Sequence, residues 1–250
     1  MDGDEEFDES VAGLTGLLLA RRPLSETLTH VAEYAVHAIP GAEGAGLTLL
    51  EANRPQTVVA TADFVREVDR IQYEVVEEGP CLSAVAERRT FTSGNLGGEA
   101  QWPRFGPRVG RLGVHSALSL PLLMPDRVLG ALNVYAHGRD VFGELAVQLG
   151  EAFAPHAAAS VYNAQLLAQA DRVITQLTQS LDMRAEIDQA VGLLMSRTGL
   201  DANAALARLR EMSQTSSVKV SELAHDMLDT AVKRARARSA QAPEHDNGTD

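Results

Sequence analysis

The chain has 250 residues, 45% of them apolar, and a formal net charge of −12 at pH 7. This length and composition allow one mid-sized domain and a second, small one, each with its own packed core. Cys81 is the only cysteine, which excludes an intramolecular disulfide and any metal site built from several cysteines.

Acidic residues are concentrated at the two ends of the chain, in 2–9 and 244–250. Because such segments bury little apolar surface, we expect both ends to be disordered. The sequence shows neither a signal-peptide pattern nor an apolar run long enough to cross a membrane. We therefore expect a soluble, cytoplasmic protein without membrane partners.

The first two-thirds of the chain mixes helical and strand patterns. Residues 25–39, for example, place Leu28, Val31 and Ala35 on one helical face. The predicted helices cover 10–22, 25–39 and 81–89, and the predicted strands cover 45–51, 56–62, 71–76, 117–124 and 128–136. The last two strands form a hairpin around 125–127. A long helix begins near Gly143, and Pro155 is expected to kink or interrupt it.

Three segments in this region have a characteristic composition: Gly79-Pro80-Cys81-Leu82, Ser119-Leu120-Pro121-Leu122 and Gly130-Ala131-Leu132-Asn133-Val134-Tyr135. Together with the order of elements, they resemble GAF domains over residues 22–165. The resemblance implies an α+β fold with an antiparallel sheet flanked by helices. It also implies a domain that binds a small molecule or serves as a dimerising scaffold. No residue set identifies a cofactor or selects a particular ligand.

Aromatic and polar residues of this region are candidates for lining a ligand pocket. The main candidates are Tyr73, Cys81, Trp102 and Tyr135, with Phe91, Phe105 and His115 as further members. The alternative is that the aromatic residues fill the core between sheet and helices. Cys81 is a candidate redox sensor if the start of its helix stabilises the thiolate. The alternative is a buried, inert thiol.

Catalysis is not expected. Some GAF proteins reduce free methionine sulfoxide, but that reaction needs a second thiol to resolve the oxidised one, and Cys81 is alone. The seven histidines show no metal-ligand spacing, and no glycine loop suited to phosphates is present. The sequence therefore predicts a sensor and binding protein with neither a catalytic nor a metal site.

A linker helix at 166–183 is expected to join the two domains. Apolar positions alternate in steps of four and three, the spacing of a heptad seam. The seam consists of Leu166, Ala170, Val173, Leu177, Ser180, Arg184, Ile187, Val191 and Leu194. It predicts a parallel homodimer, weakened at Ser180 and Arg184. The alternative is a helix that packs on its own GAF domain.

Residues 184–238 carry three further helical periods. Gly199 is expected to end the first helix in a left-handed conformation, and Asp201 is expected to cap the second. Residues 213–217 form the turn to the third. Three short amphipathic helices cannot bury their apolar faces alone, and we expect them to pack on one another.

This helical segment, with Gly192 in the middle of its first helix, resembles ANTAR domains, which bind RNA hairpins and prevent transcription termination. The resemblance covers about 170–232. ANTAR domains commonly have Ala-Lys-Gly where this chain has Ala190, Val191 and Gly192, so a usual basic contact is missing. A glycine within a helix costs roughly 1 kcal/mol. Gly192 therefore allows either close packing against another helix or close approach of RNA.

Candidate RNA contacts combine basic and small polar residues, which bind phosphates and unpaired bases. They are Arg184, Gln189, Ala190, Gly192, Arg197, Arg208, Arg210, Ser213, Ser216 and Lys219. The alternative for each is a solvated helix face. The basic residues at 233–238 are either an accessory phosphate contact or a solvated helix end. A DNA-reading helix-turn-helix is disfavoured, because the third helix has an acidic polar face.

The sequence thus predicts an acidic tail with the start of a helix (1–21), a GAF domain (22–165), a linker helix (166–183), an ANTAR domain (184–238) and a disordered tail (239–250). The predicted protein is a dimeric bacterial regulator that binds hairpins in mRNA leaders and favours the antiterminated transcript. The alternative is a GAF-based ligand or redox sensor whose helical C-terminal region binds a protein partner.

Overall fold

The structure is a computed structural model, and it describes residues 2–19, 22–51 and 54–240. The chain divides into two compact units, Met1–Gln169 and Ala170–Asp250. The disorder predicted for 244–250 lies outside the described residues. Among the described helices, none combines the length and the apolar character that crossing a membrane requires.

The first unit is built on a five-stranded antiparallel sheet with the order β2-β1-β5-β4-β3. The strands are β1 (Gly44–Glu51), β2 (Arg54–Ala60), β3 (Phe91–Ser93), β4 (Ser116–Leu123) and β5 (Val128–Ala136). The predicted hairpin is confirmed, with Leu120 opposite Leu132 in the β4–β5 pair. Strand β3 was not predicted, because three residues are too few to show an alternating pattern.

One face of the sheet is apolar. Side chains alternate between the two faces of a strand, and Leu120 and Leu132 belong to the buried cluster on this face. Three helices contribute to the same cluster: α1 (Asp2–Leu19), α2 (Leu24–Ala38) and the first part of α6 (Glu144–Thr198). Helix α6 comes close to the sheet at Gly150, where an added Cβ would lie 3.0 Å from a Leu120 methyl group.

The other face of the sheet carries small and polar residues. Gly46 and Thr48 lie on β1, Ser119 on β4, and Asn133 and Tyr135 on β5. The segment between β2 and β4 supplies the elements of this side: α3 (Asp63–Arg70), a π-helical turn (Ile71–Val75), α4 (Pro80–Glu87), a 3-10 turn (Leu96–Gly98) and α5 (Gly106–Gly110). A second buried cluster forms here around Trp102 and Phe105.

The strand predicted at 71–76 is wrong, since these residues form the π-helical turn that continues α3. Val65, Val68 and Ile71 are buried at three-residue steps, which is helical rather than strand spacing. The buried polar residues Asp69 and Gln72 lie on the same side. They concealed the helical pattern, because sequence periodicity is read from apolar residues.

The disorder predicted for the start of the chain is also wrong. The acidic start of the chain is helical from Asp2, and Phe7 of this helix packs against the first core cluster. That contact explains why the segment is ordered despite its charge. Pro155 lies inside α6, which continues through it without interruption, and a kink at this residue stays a prediction.

The second unit is the predicted three-helix arrangement, formed by the C-terminal part of α6, α7 (Ala202–Ser216) and α8 (Val220–Ala240). Its core contains Ala190, Val191, Leu194, Ala205, Leu209 and Ala224. Gly199 has the predicted left-handed conformation, with φ at +73°. The Asp201 carboxylate accepts a hydrogen bond from Ala204 N at 2.8 Å and caps α7. Helix α7 is longer than predicted and leaves only 217–219 as a turn.

Candidate RNA-binding surface and sensor site

The basic candidates of the second unit are exposed. Arg184, Arg197 and Arg210 all have solvent-accessible side chains. Lys219 is 82% exposed, and its Nζ lies 3.9 Å from a Glu222 carboxylate oxygen. An ion pair this long and this exposed contributes little to stability, so Lys219 retains its capacity to bind a phosphate.

Gly192 lies on an open surface of α6. An added Cβ would meet no heavy atom within 4 Å in the described structure. Close packing within this chain therefore does not explain the glycine. The exposed residues within two helical turns of Gly192 include Ala185, Gln189 and Ser196. None of these three has a bulky apolar or charged side chain, so the helix backbone at Gly192 is accessible. A nucleic-acid backbone can approach a helix closely at such a place.

Two predicted contact residues stabilise the domain instead of lying on its surface. Ala190 is fully buried in the three-helix core. Ser213 is 8% exposed, and its hydroxyl donates a hydrogen bond to the Val218 carbonyl oxygen at 2.6 Å. The Ser213 bond fixes the turn between α7 and α8. The sequence placed Ser213 in a surface turn and Ala190 both on the apolar stripe of its helix and at the RNA contact, because a small side chain suits either environment.

The remaining polar candidates lie on exposed helix faces. Gln189 is exposed on α6, beside Gly192. Arg208 donates a hydrogen bond to the Glu211 carboxylate at 2.6 Å, which reduces its availability for phosphate. The Ser216 hydroxyl donates to the Met212 carbonyl oxygen at 2.8 Å. Among the described candidate contacts, the basic side chains that remain available for phosphate are therefore those of Arg184, Arg197, Arg210 and Lys219.

In the first unit, the polar face of the sheet holds a cluster of polar side chains that are buried, except Tyr73, which is half-buried. We call Thr48, Asp69, Gln72, Tyr73, Cys81, Ser119, Asn133 and Tyr135 the polar cluster. The Tyr135 hydroxyl donates to Asp69 Oδ1 at 3.0 Å. The Tyr73 hydroxyl lies 2.8 Å from Thr48 Oγ1. Cys81 N donates to Gln72 Oε1 at 3.1 Å, which connects the start of α4 to the π-helical turn.

Of the four candidates for a ligand pocket, Tyr73, Cys81 and Tyr135 belong to the polar cluster. Trp102 lies in the neighbouring aromatic core, 5.9 Å from Phe91 between ring centroids. Its indole N–H donates to Ser83 Oγ on α4 at 3.0 Å. Helix α4 thus carries both Cys81 and the hydrogen-bond partner of Trp102.

Sequence reasoning missed the other five members of the polar cluster. Only one signal pointed to them: in the segment Ala131-Leu132-Asn133-Val134-Tyr135, the polar Asn133 stands between residues that face the apolar core. Asp69 and Gln72 gave no such signal, because α3, which carries Asp69, was not predicted and Gln72 was assigned to a strand. Their burial arises from contacts between segments distant in sequence.

The environment of Cys81 disfavours a thiolate sensor. The residue is fully buried, and burial raises the pKa of its thiol to about 12, only partly opposed by hydrogen bonds from Tyr73, Asn133 and Thr48. A reactive cysteine needs a thiolate and access to solvent, and the folded protein provides neither. No group of three or more histidine, cysteine or acidic side chains suited to a metal ion occurs among the described residues.

Comparison with known proteins agrees with this division. The family model described as a GAF domain matches residues 21–161, and the ANTAR domain model matches residues 175–228. No curated protein sequence matches the chain.

Solved structures resemble the first unit. The GAF domain of a phosphoenolpyruvate-protein phosphotransferase from Coxiella burnetii is 16% identical, with a TM-score of 0.53 over 66% of this chain and 98% of that one. The corresponding domain from Acinetobacter is 14% identical, with a TM-score of 0.50 over 65% and 97%. At these identities the likeness shows the fold alone. The GAF model spans more than half of the chain, and the protein belongs to the GAF family, with a sensor-type GAF domain followed by an ANTAR domain of the RNA-binding antitermination type.

Proposed function

We propose that this protein binds hairpins in nascent mRNA through its ANTAR domain and thereby favours the antiterminated transcript, under control of its GAF domain. The observation that carries the proposal is the open surface at Gly192, where an added Cβ would meet nothing. A helical glycine without a packing role is expected where another molecule must approach the backbone. The exposed Arg184, Arg197, Arg210 and Lys219 supply the positive charge that RNA phosphates require.

Val191 defines how this domain departs from the usual ANTAR pattern. Its side chain is 8% exposed and belongs to the three-helix core. A lysine at this position would bury its stem and extend its ammonium group to the surface. Valine contributes only to the core, and the phosphate contacts therefore depend on the arginines and Lys219.

Dimerisation is the second part of the proposal. Helix α6 exposes apolar side chains between 166 and 183, with Ile174 at 58%, Leu177 at 60% and Leu181 at 68%. The heptad spacing of this stripe suits a second copy of the same helix. The last members of the predicted seam, Ile187, Val191 and Leu194, pack within the three-helix core. The dimer contact is therefore limited to the part of α6 before Arg184.

The exposed stripe contains two overlapping heptad seams. The predicted seam passes through Val173 and Ser180. A second seam shares Ala170 and Leu177 with the first and replaces the other three positions by Leu167, Ile174 and Leu181. Because Ile174 and Leu181 are more exposed than Val173, at 48%, and no serine interrupts the second seam, we assign the dimer contact to it.

The proposal is tested by titrating the purified full chain with mRNA leaders that contain hairpins and by single-round transcription through a terminator. We expect binding that weakens with salt and an increase in read-through. An unpaired RNA of the same length is the control. Absence of binding at low salt, together with unchanged termination, would contradict the proposed function.

A further inference from the structure

A cavity of about 270 Å³ opens on the first unit, where β4 extends past the start of β3. The β3–β4 pair ends at Phe91, which is opposite Ser119, so β3 does not cover residues 120–123 of β4. The cavity lies between this part of β4, the segment 88–90 and α6, and no member of the polar cluster lines it. Its volume is below the range of about 300–1,000 Å³ that drug-sized ligands occupy and suits a smaller molecule.

Side chains of opposite charge line the cavity. Arg88 and Arg89 follow the end of α4, and Glu151 lies on α6. Arg89 is paired with Glu87 at 2.8 Å. Arg88 makes only a long hydrogen bond to the Met124 carbonyl oxygen, at 3.5 Å, and neither Arg88 nor Glu151 has an ion-pair partner among the described residues. Both side chains are exposed, so they are accessible to a ligand.

Pro155 adds a second acceptor to the Glu151 side of the cavity. Proline has no amide hydrogen, so the Glu151 carbonyl oxygen lacks the helical hydrogen bond that residue 155 would donate. Both residues line the cavity. Backbone carbonyl groups in folded proteins nearly always have a donor. Glu151 therefore offers a cationic donor two acceptors, its carboxylate and its carbonyl oxygen.

The backbone of Arg88 does not account for an arginine at this position. Arg88 ends α4 in the left-handed conformation, with φ at +56°. Glycine is the residue that this conformation favours, because a Cβ atom is strained there. An arginine at such a place is explained if its guanidinium group serves the cavity that it lines.

The two charges restrict what the cavity can bind. An anion would bind Arg88 but would also meet the Glu151 carboxylate, and a cation would bind Glu151 but would also meet Arg88. A molecule with one carboxylate and one ammonium group pairs with both. The remaining lining is largely apolar and includes Leu123, which is 38% exposed, and the buried Ala154. It suits an apolar group on the same molecule.

We propose that this cavity binds a free α-amino acid with an apolar side chain. Its carboxylate accepts hydrogen bonds from the Arg88 guanidinium group. Its ammonium group donates to the carboxylate and the carbonyl oxygen of Glu151, and its side chain packs against Leu123. The site belongs to the first unit and goes beyond the RNA function proposed above.

The test is isothermal titration calorimetry of the full-length protein with L-leucine and L-phenylalanine. Each amino acid is compared with an analogue that lacks the ammonium group, 4-methylpentanoate or 3-phenylpropanoate, and with one that lacks the carboxylate, 3-methylbutylamine or 2-phenylethylamine. We expect saturable binding of at least one amino acid and binding of both its analogues weaker by about tenfold or more. An analogue that binds as tightly as its amino acid, or no saturable binding of either amino acid, would overturn the proposal.

Arg88→Gly separates binding from folding. Glycine suits the left-handed backbone, so we expect this variant to keep or raise the melting temperature and to bind the amino acid at least about tenfold more weakly. Ser217 ends α7 in the same conformation, with φ at +55°. Ser217→Gly therefore makes the same backbone change in the second unit, as a matched control, and should leave amino-acid binding unchanged.

Glu151→Gln removes the other charge and preserves the size of the side chain. We expect it to weaken amino-acid binding as well, with the fold intact. Unchanged affinity in either Arg88→Gly or Glu151→Gln would overturn the assignment. None of these measurements involves RNA. A protein that fails to bind RNA but binds the amino acid would disprove the proposed RNA function alone, and the reverse result would disprove this site alone.

Discussion

At the scale of single residues, Gly192 separates RNA binding from folding. Leucine has a higher helical propensity than glycine, and the surface around position 192 is open. We therefore expect Gly192→Leu to stabilise the second unit by about 1 kcal/mol while it weakens RNA binding. Gly192→Ala is the matched control, since it increases propensity with far less bulk. Thermal melts and RNA titrations of the same samples give the answer. If Gly192→Leu lowers the melting temperature but leaves the RNA affinity of the folded molecules unchanged, RNA does not contact this surface.

Cys81 leads to a prediction about alkaline pH. Burial raises its pKa to about 12, so the folded protein holds this proton more tightly than the unfolded chain. The resulting stabilisation is complete below the unfolded pKa of roughly 8.5 to 9 and is lost as the pH rises towards 12. We expect the melting temperature of the parent protein to fall over this pH range. The melting temperature of Cys81→Ala should fall less steeply. Parallel pH profiles for the two proteins would show that the thiol titrates freely in the folded state.

At the scale of elements, the sequence was sufficient wherever one face of an element meets an apolar core. Strands β4 and β5 and helix α2 have such faces, and their positions were predicted to within one or two residues. The α3 region was not predicted, because it buries Asp69 and Gln72 among its apolar residues. These residues belong to the polar cluster. Local periodicity therefore failed at the place where contacts between distant segments form the candidate sensor site.

Helix α6 allows a test between its two heptad seams. Leu181 lies on the seam that we favour, whereas the adjacent Ser180 lies on the other. Burying an unpaired charge costs about 3 kcal/mol or more, so Leu181→Asp should weaken dimerisation by roughly a hundredfold in Kd. Ser180→Asp introduces the same charge one residue away and should have a much smaller effect. Analytical ultracentrifugation will distinguish them. A larger effect of Ser180→Asp would assign the contact to the seam predicted from sequence.

At the scale of the whole molecule, a protein of net charge −12 must bind RNA through a local concentration of basic residues. We expect Arg184→Ala combined with Lys219→Ala to weaken RNA binding and to reduce its salt dependence, by a slope of roughly 0.7 to 0.9 for each phosphate that is no longer bound. The double variant Arg66→Ala, Arg70→Ala changes net charge equally in the first unit and serves as the control. If RNA affinity depends on salt with the same slope in both double variants, Arg184 and Lys219 do not contact RNA phosphates.

Dimerisation and RNA recognition should be coupled through α6, because its exposed stripe ends at Arg184, where the candidate RNA contacts begin. A dimer binds an RNA with two hairpins more tightly, since the first contact raises the effective concentration of the second. Leu177 lies on both heptad seams, and Leu177→Asp should yield a monomer whichever seam is used. We expect this variant to retain the parent's affinity for a single hairpin and to lose its advantage for two. A monomeric Leu177→Asp that binds the two-hairpin RNA as tightly as the parent would show that the ANTAR domain recognises RNA independently of the α6 contact.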